Sequence, residues 1–163
     1  MRCFVAVDLD PSLRHRVEKL QNELTGLDVK LIKPENLHFT LKFLGEVDVN
    51  IRMKTETALE QLAAETSPFD ITVEKIGAFP GVVWIGAPRL LNLHNTIDGG
   101  KGDFEPVPHM TIARGCDNLA DFMDKNRDIV IGDMRVDCIK LKKSVLTPKG
   151  SVYSDVRIFE LIG

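Results

Sequence analysis

The 163-residue chain has few cysteines, no excess of positive charge and no long apolar run, and each shortage removes a class of protein. Its three cysteines, Cys3, Cys116 and Cys138, are odd in number, far apart and without C-x-x-C spacing. Neither a disulfide framework nor a zinc site is expected from them, and a reducing, cytoplasmic setting fits best. A formal net charge of -3 argues against coating long nucleic acid, because that kind of binding neutralises many phosphates with a basic face. Any contact with nucleic acid must be local. The apolar start, Cys3-Phe4-Val5-Ala6-Val7, is interrupted at Asp8, too soon for a signal peptide or a membrane span. No G-x-x-x-x-G-K-[ST] loop is present to hold a nucleoside triphosphate, and no H-x-x-x-H or H-E-x-x-H pair to hold a catalytic metal.

What is there is an ordinary globular composition, 44% hydrophobic, long enough for one compact domain over 1–163. Arg2 to Leu9 reads as a buried strand. Asp10-Pro11 then supplies an N-cap and a proline at the first helical position, and Leu13, Val17, Leu20 and Leu24 continue at helical spacing as far as Gly26. After a short extended piece at Val29 to Ile32, Leu37 to Leu44 reads as a strand, Val49 to Glu65 as a helix, and Phe69-Ile71-Val73 as an alternating strand. A second pass follows: strand at Val82 to Ile85, helical spacing at Leu90, Leu93 and Ile97, strand at His109 to Ala113, helix at Leu119 to Arg127, and strand from Ile129 onward. Pro148-Lys149-Gly150 marks a turn into a terminal hairpin with Val152 to Ile162.

Residues 2–78 and 82–163 therefore both run strand, helix, His-x-Thr strand, helix, strand. The pattern suggests an internal duplication with two lobes, in which equivalent strands face each other across a pseudo-twofold cleft.

The two motifs are His38-Phe39-Thr40-Leu41 and His109-Met110-Thr111-Ile112. Side chains alternate on a strand, so each histidine shares a face with its threonine, about 6.5–7 Å along, and the apolar pair faces the core. His94-Asn95-Thr96 also matches His-x-Thr, but it sits among helically spaced leucines and has Asn where the others are apolar. His94 is expected at a surface or helix end, and His15 on the solvated side of the first helix. Cleaving a phosphodiester requires a base for the nucleophile and an acid for the leaving oxygen, and imidazole serves both near neutrality. Threonine hydroxyls and a cation hold the non-bridging oxygens, and Arg114 is the natural cation.

Lys33-Pro34-Glu35-Asn36-Leu37-His38-Phe39-Thr40-Leu41-Lys42-Phe43-Leu44-Gly45-Glu46-Val47 and Pro108-His109-Met110-Thr111-Ile112-Ala113-Arg114 resemble the two signatures of the 2H phosphoesterase superfamily. Within it, the chain looks like the RNA 2',3'-cyclic phosphodiesterases, also called 2'-5' RNA ligases. The resemblance extends to Met1 to Asp8, Gly77-Ala78-Phe79-Pro80, Ser144-Val145-Leu146 and Gly150-Ser151-Val152-Tyr153. It is weakest from Leu93 to Phe104, where the chain looks short and Gly99-Gly100-Lys101-Gly102 reads as a surface loop.

The resemblance implies a bilobal α+β fold, two antiparallel sheets flanking a cleft with helices outside. It implies His38 and His109 as catalytic residues and Thr40, Thr111 and Arg114 as phosphate-binding ones, with no metal and no cofactor. The implied substrates are RNA 3' ends carrying a 2',3'-cyclic phosphate, tRNA halves among them, opened to a 2'-phosphate or joined to a 5'-hydroxyl. His109 is expected as base toward water and His38 as acid toward O3'. A monomer without membrane association is expected. Trp84 and Tyr153 are candidate stacking platforms, with core packing favoured for Trp84. Lys42, on the strand face of His38 and Thr40, is a candidate for contact with the substrate backbone, and Lys140, Lys142 and Lys143 for a modest basic approach, with solvated side chains favoured for all four. Two other functions compete: a phosphodiesterase for small cyclic nucleotides, and a phosphate-binding module without turnover.

Overall fold

A computed structural model describes residues 1–99, 108–115 and 117–163. Cys116 and most of the glycine-rich stretch from Gly99 to Gly102 lie outside the described residues. The order is β1 (Arg2–Asp8), α1 (Arg14–Asn22), β2 (Lys30–Leu31), β3 (His38–Glu46), α2 (Val49–Glu65), β4 (Phe69–Phe79), β5 (Val82–Gly86), α3 (Leu91–Asp98), β6 (His109–Arg114), α4 (Ala120–Lys125), β7 (Val130–Val136), β8 (Cys138–Thr147) and β9 (Gly150–Glu160). The first helix begins as expected, the Asp10 carboxylate accepting from the Ser12 amide at 2.8 Å ahead of a 3-10 turn at Pro11–Leu13. Its α-helical part stops at Asn22, short of Gly26. The expected strand from Ile129 onward divides at Asp137 into two strands that enter different sheets. Among the described residues no helix is long and apolar enough to cross a membrane.

The strands form two antiparallel sheets, ordered β3-β1-β8-β9 and β2-β6-β5-β4-β7. Apart from the two-residue β2, the orders correspond position by position: β3 with β6, β1 with β5, β8 with β4 and β9 with β7. This is the pseudo-twofold duplication. The lobes, however, do not follow the expected boundaries of 2–78 and 82–163. β4, from the first half, lies in the second half's sheet, while β8 and β9 lie in the first half's.

Turn chemistry causes the exchange. Pro80 and Gly81 are the only residues between β4 and β5, with Phe79 opposite Val82 and Gly81 at φ 74°, as the third position of a type II turn requires. So tight a turn obliges β4 to pair with β5.

The core lies behind the sheets. Phe39 and Leu41 of β3, Met110 and Ile112 of β6, Ile139 and Leu141 of β8, and Ile71 and Val73 of β4 are each at most 1% exposed. Each such side chain contributes about 1.5–3 kcal/mol relative to exposure. Val17 and Leu20 of α1 are buried, and Gln21 of that helix donates to the Ile32 and Ile112 carbonyls, both at 2.9 Å, pinning α1 to β6.

Candidate active site

Pairing within each sheet sets the two motifs. Asp8 lies opposite His38 and Ala6 opposite Thr40, while Gly86 lies opposite His109 and Trp84 opposite Thr111. In both motif strands histidine and threonine are half-buried and the apolar residues between them buried, so the alternation expected from sequence holds. The two pairs line one cavity of about 800 Å³, together with Arg114 and Tyr153.

Arg114 reaches this cavity through an irregularity. Strict alternation from His109 sends residue 114 to the core side with Met110 and Ile112. A register shift against Val83 and Trp84 inserts one extra residue into β6, and Arg114, opposite Val82, emerges exposed on the cavity side. The twofold-related shift in β3 lies against Val5 and Ala6, and Lys42, just beyond it, still lines the cavity. The Lys42 ammonium is held at the edge, donating to the Ile97 carbonyl at 3.3 Å and lying 4.0 Å from Asp98. The same shift brings Phe43 to the cavity wall, 78% exposed, a residue that periodicity alone assigns to the core.

His38 is held at both nitrogens. Nδ1–H donates to the Asn36 carbonyl at 2.6 Å, which fixes the tautomer, and Nε2 faces the Thr40 hydroxyl at 3.0 Å. Burial pushes its pKa below the ordinary value; the Asn36 hydrogen bond and the Asp8 charge oppose that, and the charges of Lys142 and Arg114 add to it. His38 is therefore neutral at pH 7. Phe4 and Tyr153 pack against its ring at centroid distances of 5.0 and 5.3 Å.

His109 also lies between two aromatic rings, Phe79 at 5.3 Å and Trp84 at 5.7 Å. Trp84 is therefore not simply core: it is half-buried on the cavity side of β5 and braces the second histidine. It can lie there because residue 77, on the neighbouring strand, is glycine. A Cβ at Gly77 would come within 2.0 Å of the indole Cζ2.

Other expectations need correction. His94 is on α3, as its spacing requires, but half-buried and lining the same cavity. Its Nδ1 is buried without a hydrogen-bond partner among the described residues. Lys140 and Lys142 are not solvated. Both pair with Asp8 and Asp155, at 2.8–3.2 Å, and Lys142 is only 5% exposed. Phe79, Phe43 and the Asn36 carbonyl are parts of the site that no periodicity singles out; each lies only within a stretch that carries the family resemblance. Among the described residues, no group of three or more His, Cys, Asp or Glu side chains is placed to hold a metal ion.

A strand-borne histidine with its threonine, repeated by a twofold around one cavity, is the arrangement of a 2H phosphoesterase. Comparison with known proteins agrees at every level. The LigT-like phosphoesterase family model matches residues 7–84, which include the first motif. The chain is 39% identical to an RNA 2',3'-cyclic phosphodiesterase of Archaeoglobus fulgidus, over 98% of this chain and 100% of that one. It is 35% identical to one of Methanothermobacter thermautotrophicus, over 99% of each. The crystal structure of TT0787 of Thermus thermophilus superposes with a TM-score of 0.84 at 28% identity, over 100% of this chain and 99% of that one. The chain belongs to the LigT-like RNA 2',3'-cyclic phosphodiesterase family.

Proposed function

We propose that this protein opens 2',3'-cyclic phosphates at RNA 3' ends to 2'-phosphates. The observation that carries the reading is the pair of His–Thr units at twofold-related places around one cavity, with Arg114 beside the second. Thr40, Thr111 and Arg114 hold the non-bridging oxygens and stabilise the charge that builds there. His109 takes the proton of the attacking water, the P–O3' bond breaks, and His38 returns a proton to O3'. A 5'-hydroxyl in place of water gives a 2'-5' linkage at no cost in nucleotide, because the strained cyclic ester supplies the driving force. tRNA halves are a fitting substrate of that kind, handled by a monomer in the cytoplasm.

The test is an RNA oligonucleotide ending in a 2',3'-cyclic phosphate, incubated with the protein in EDTA beside His38→Ala and His109→Ala. A 2'-phosphate product, formed roughly 10²–10⁴-fold more slowly by each variant at unchanged fold, is expected. Binding without turnover by the parent, on this RNA and on cyclic mononucleotides, would leave a phosphate-binding module instead.

A further inference from the structure

One side of the cavity carries positive charge that no ion pair offsets among the described residues. Lys30 of β2 lies directly opposite Arg114 of β6, and directly opposed residues of an antiparallel pair share a face. Lys30 therefore extends the Arg114 row outward. Both are exposed, and among the described residues neither has an ion-pair partner. Like charges so placed destabilise a sheet unless an anion joins them.

The other wall meets this point. The β8–β9 turn approaches so closely that a Cβ at Gly150 would lie 3.1 Å from the Lys30 ammonium. Lys149, exposed and without an ion-pair partner among the described residues, sits on that turn. Its amide donates to the Thr147 hydroxyl at 3.2 Å, and that hydroxyl donates to the Gly150 carbonyl at 2.7 Å, so the turn has a defined shape. One residue further on, the Ser151 carbonyl accepts from the Asn36 side chain at 3.4 Å, and the Asn36 carbonyl holds His38. The basic rim is thus continuous with the reacting centre. Several other cations are already engaged: Lys140 and Lys142 with Asp8 and Asp155, Arg157 with Glu56 and Glu60, Lys125 with Glu23. Arg2 also lines the cavity, but its strand pairs with β3 and β8, away from the β2 edge and the β8–β9 turn that Lys30 and Lys149 occupy.

We propose that Lys30 and Lys149 form a two-walled clamp for the phosphodiester backbone of the RNA strand leading to the cyclic end, so that the strand leaves the cleft over β2 and the β8–β9 turn. The inference rests on the proposed activity and adds the direction in which the substrate extends. In a chain of net charge -3, a clamp of this size suits a few phosphates of a single strand, not a long track.

The experiment compares the parent with the Lys30→Gln/Lys149→Gln double variant, on a single-stranded oligonucleotide ending in a 2',3'-cyclic phosphate and on 2',3'-cyclic AMP, across a salt series. For the oligonucleotide, KM is expected to rise roughly tenfold at low salt with kcat unchanged. The slope of log kcat/KM against log salt should flatten by roughly 1.4, about 0.7 for each single-strand phosphate no longer neutralised. Unchanged turnover of 2',3'-cyclic AMP would report an intact site. Equal losses on both substrates, or an unchanged KM for the oligonucleotide, would overturn the clamp. Should the parent cleave neither substrate, the activity reading fails by itself. The clamp is then judged by fluorescence anisotropy with a 2'-phosphorylated oligonucleotide, where equal affinity of parent and variant refutes it and a roughly tenfold loss supports it.

Discussion

An imidazole that burial keeps neutral is an unusual donor of protons, so the acid role proposed for His38 requires the substrate itself to raise its pKa. Its pKa lies below the ordinary value, chiefly because burial disfavours the charged form. A phosphate anion in the cavity opposes that effect and draws a proton onto Nε2, the nitrogen that Asn36 leaves free. In the acid role proposed for it His38 must be protonated, so activity is expected to fall as pH rises through its pKa. The profile of kcat/KM reports the free enzyme and that of kcat the complex. The descending limb should therefore lie below about pH 6.5 in kcat/KM and at higher pH in kcat. Coincident limbs would remove the acid role from His38. On the opposite wall, Gly77 provides the corresponding control over His109. Gly77→Ala drives a methyl group into Trp84 and so shifts the ring that braces the histidine. Displacing a reacting group by about 1 Å can cost roughly 10²-fold, so a loss of that order in kcat with KM held is expected. Trp84 is the only tryptophan, so the same displacement is visible as a change in intrinsic fluorescence. An unaltered emission spectrum with full kcat would show that the indole does not position His109.

Among elements, the motif strands are legible in the sequence because their chemistry obeys a period of two. His38 with Thr40, and His109 with Thr111, announce a cavity face simply by alternating with buried apolar residues. The irregularities are not legible. Bulges in β3 and β6 obey backbone pairing, which no side-chain pattern records, and they decide that Arg114 and Phe43 face the cavity. Periodicity likewise places His94 on a helix without revealing that the helix borders the cavity. The lysines of β8 look solvated in sequence for a related reason. Their partners, Asp8 and Asp155, are distant along the chain and come together only when β8 pairs between β1 and β9. Burial alone would raise the Asp155 pKa, but hydrogen bonds from Lys142 and Lys140 hold it below its ordinary value. Lys142→Ala leaves two carboxylates with one ammonium among the three strands. Breaking a fully buried pair costs about 3–5 kcal/mol. Solvent reaches these carboxylates, so about 2–3 kcal/mol is expected, read as a lower urea midpoint at unchanged m-value. A change below about 0.5 kcal/mol, typical of surface substitutions, would reduce the cluster to a surface ion pair.

At the scale of the whole molecule, the duplication is legible as two matching passes along the chain, whereas the exchange of strands is not, because its cause is a two-residue turn at Pro80-Gly81. Dividing the chain into one lobe per half assumes that neighbours in sequence stay together, and β4 breaks that rule. The two motif strands are nonetheless grouped as expected, because β3 and β6 stay with their own halves' first strands, β1 and β5. A jaw opens at a hinge, and here the chain crosses between the two walls four times, at β1–β2, β2–β3, β3–β4 and β7–β8, so the gape is tethered against parting wide enough for a bulkier guest. An RNA terminus must come to it already frayed. A cyclic phosphate on an unpaired overhang is accordingly expected to react freely, and the same end at a blunt, stable duplex to be opened no faster than the duplex breathes; equal rates on the two, followed by gel electrophoresis, would mean that the jaw opens after all.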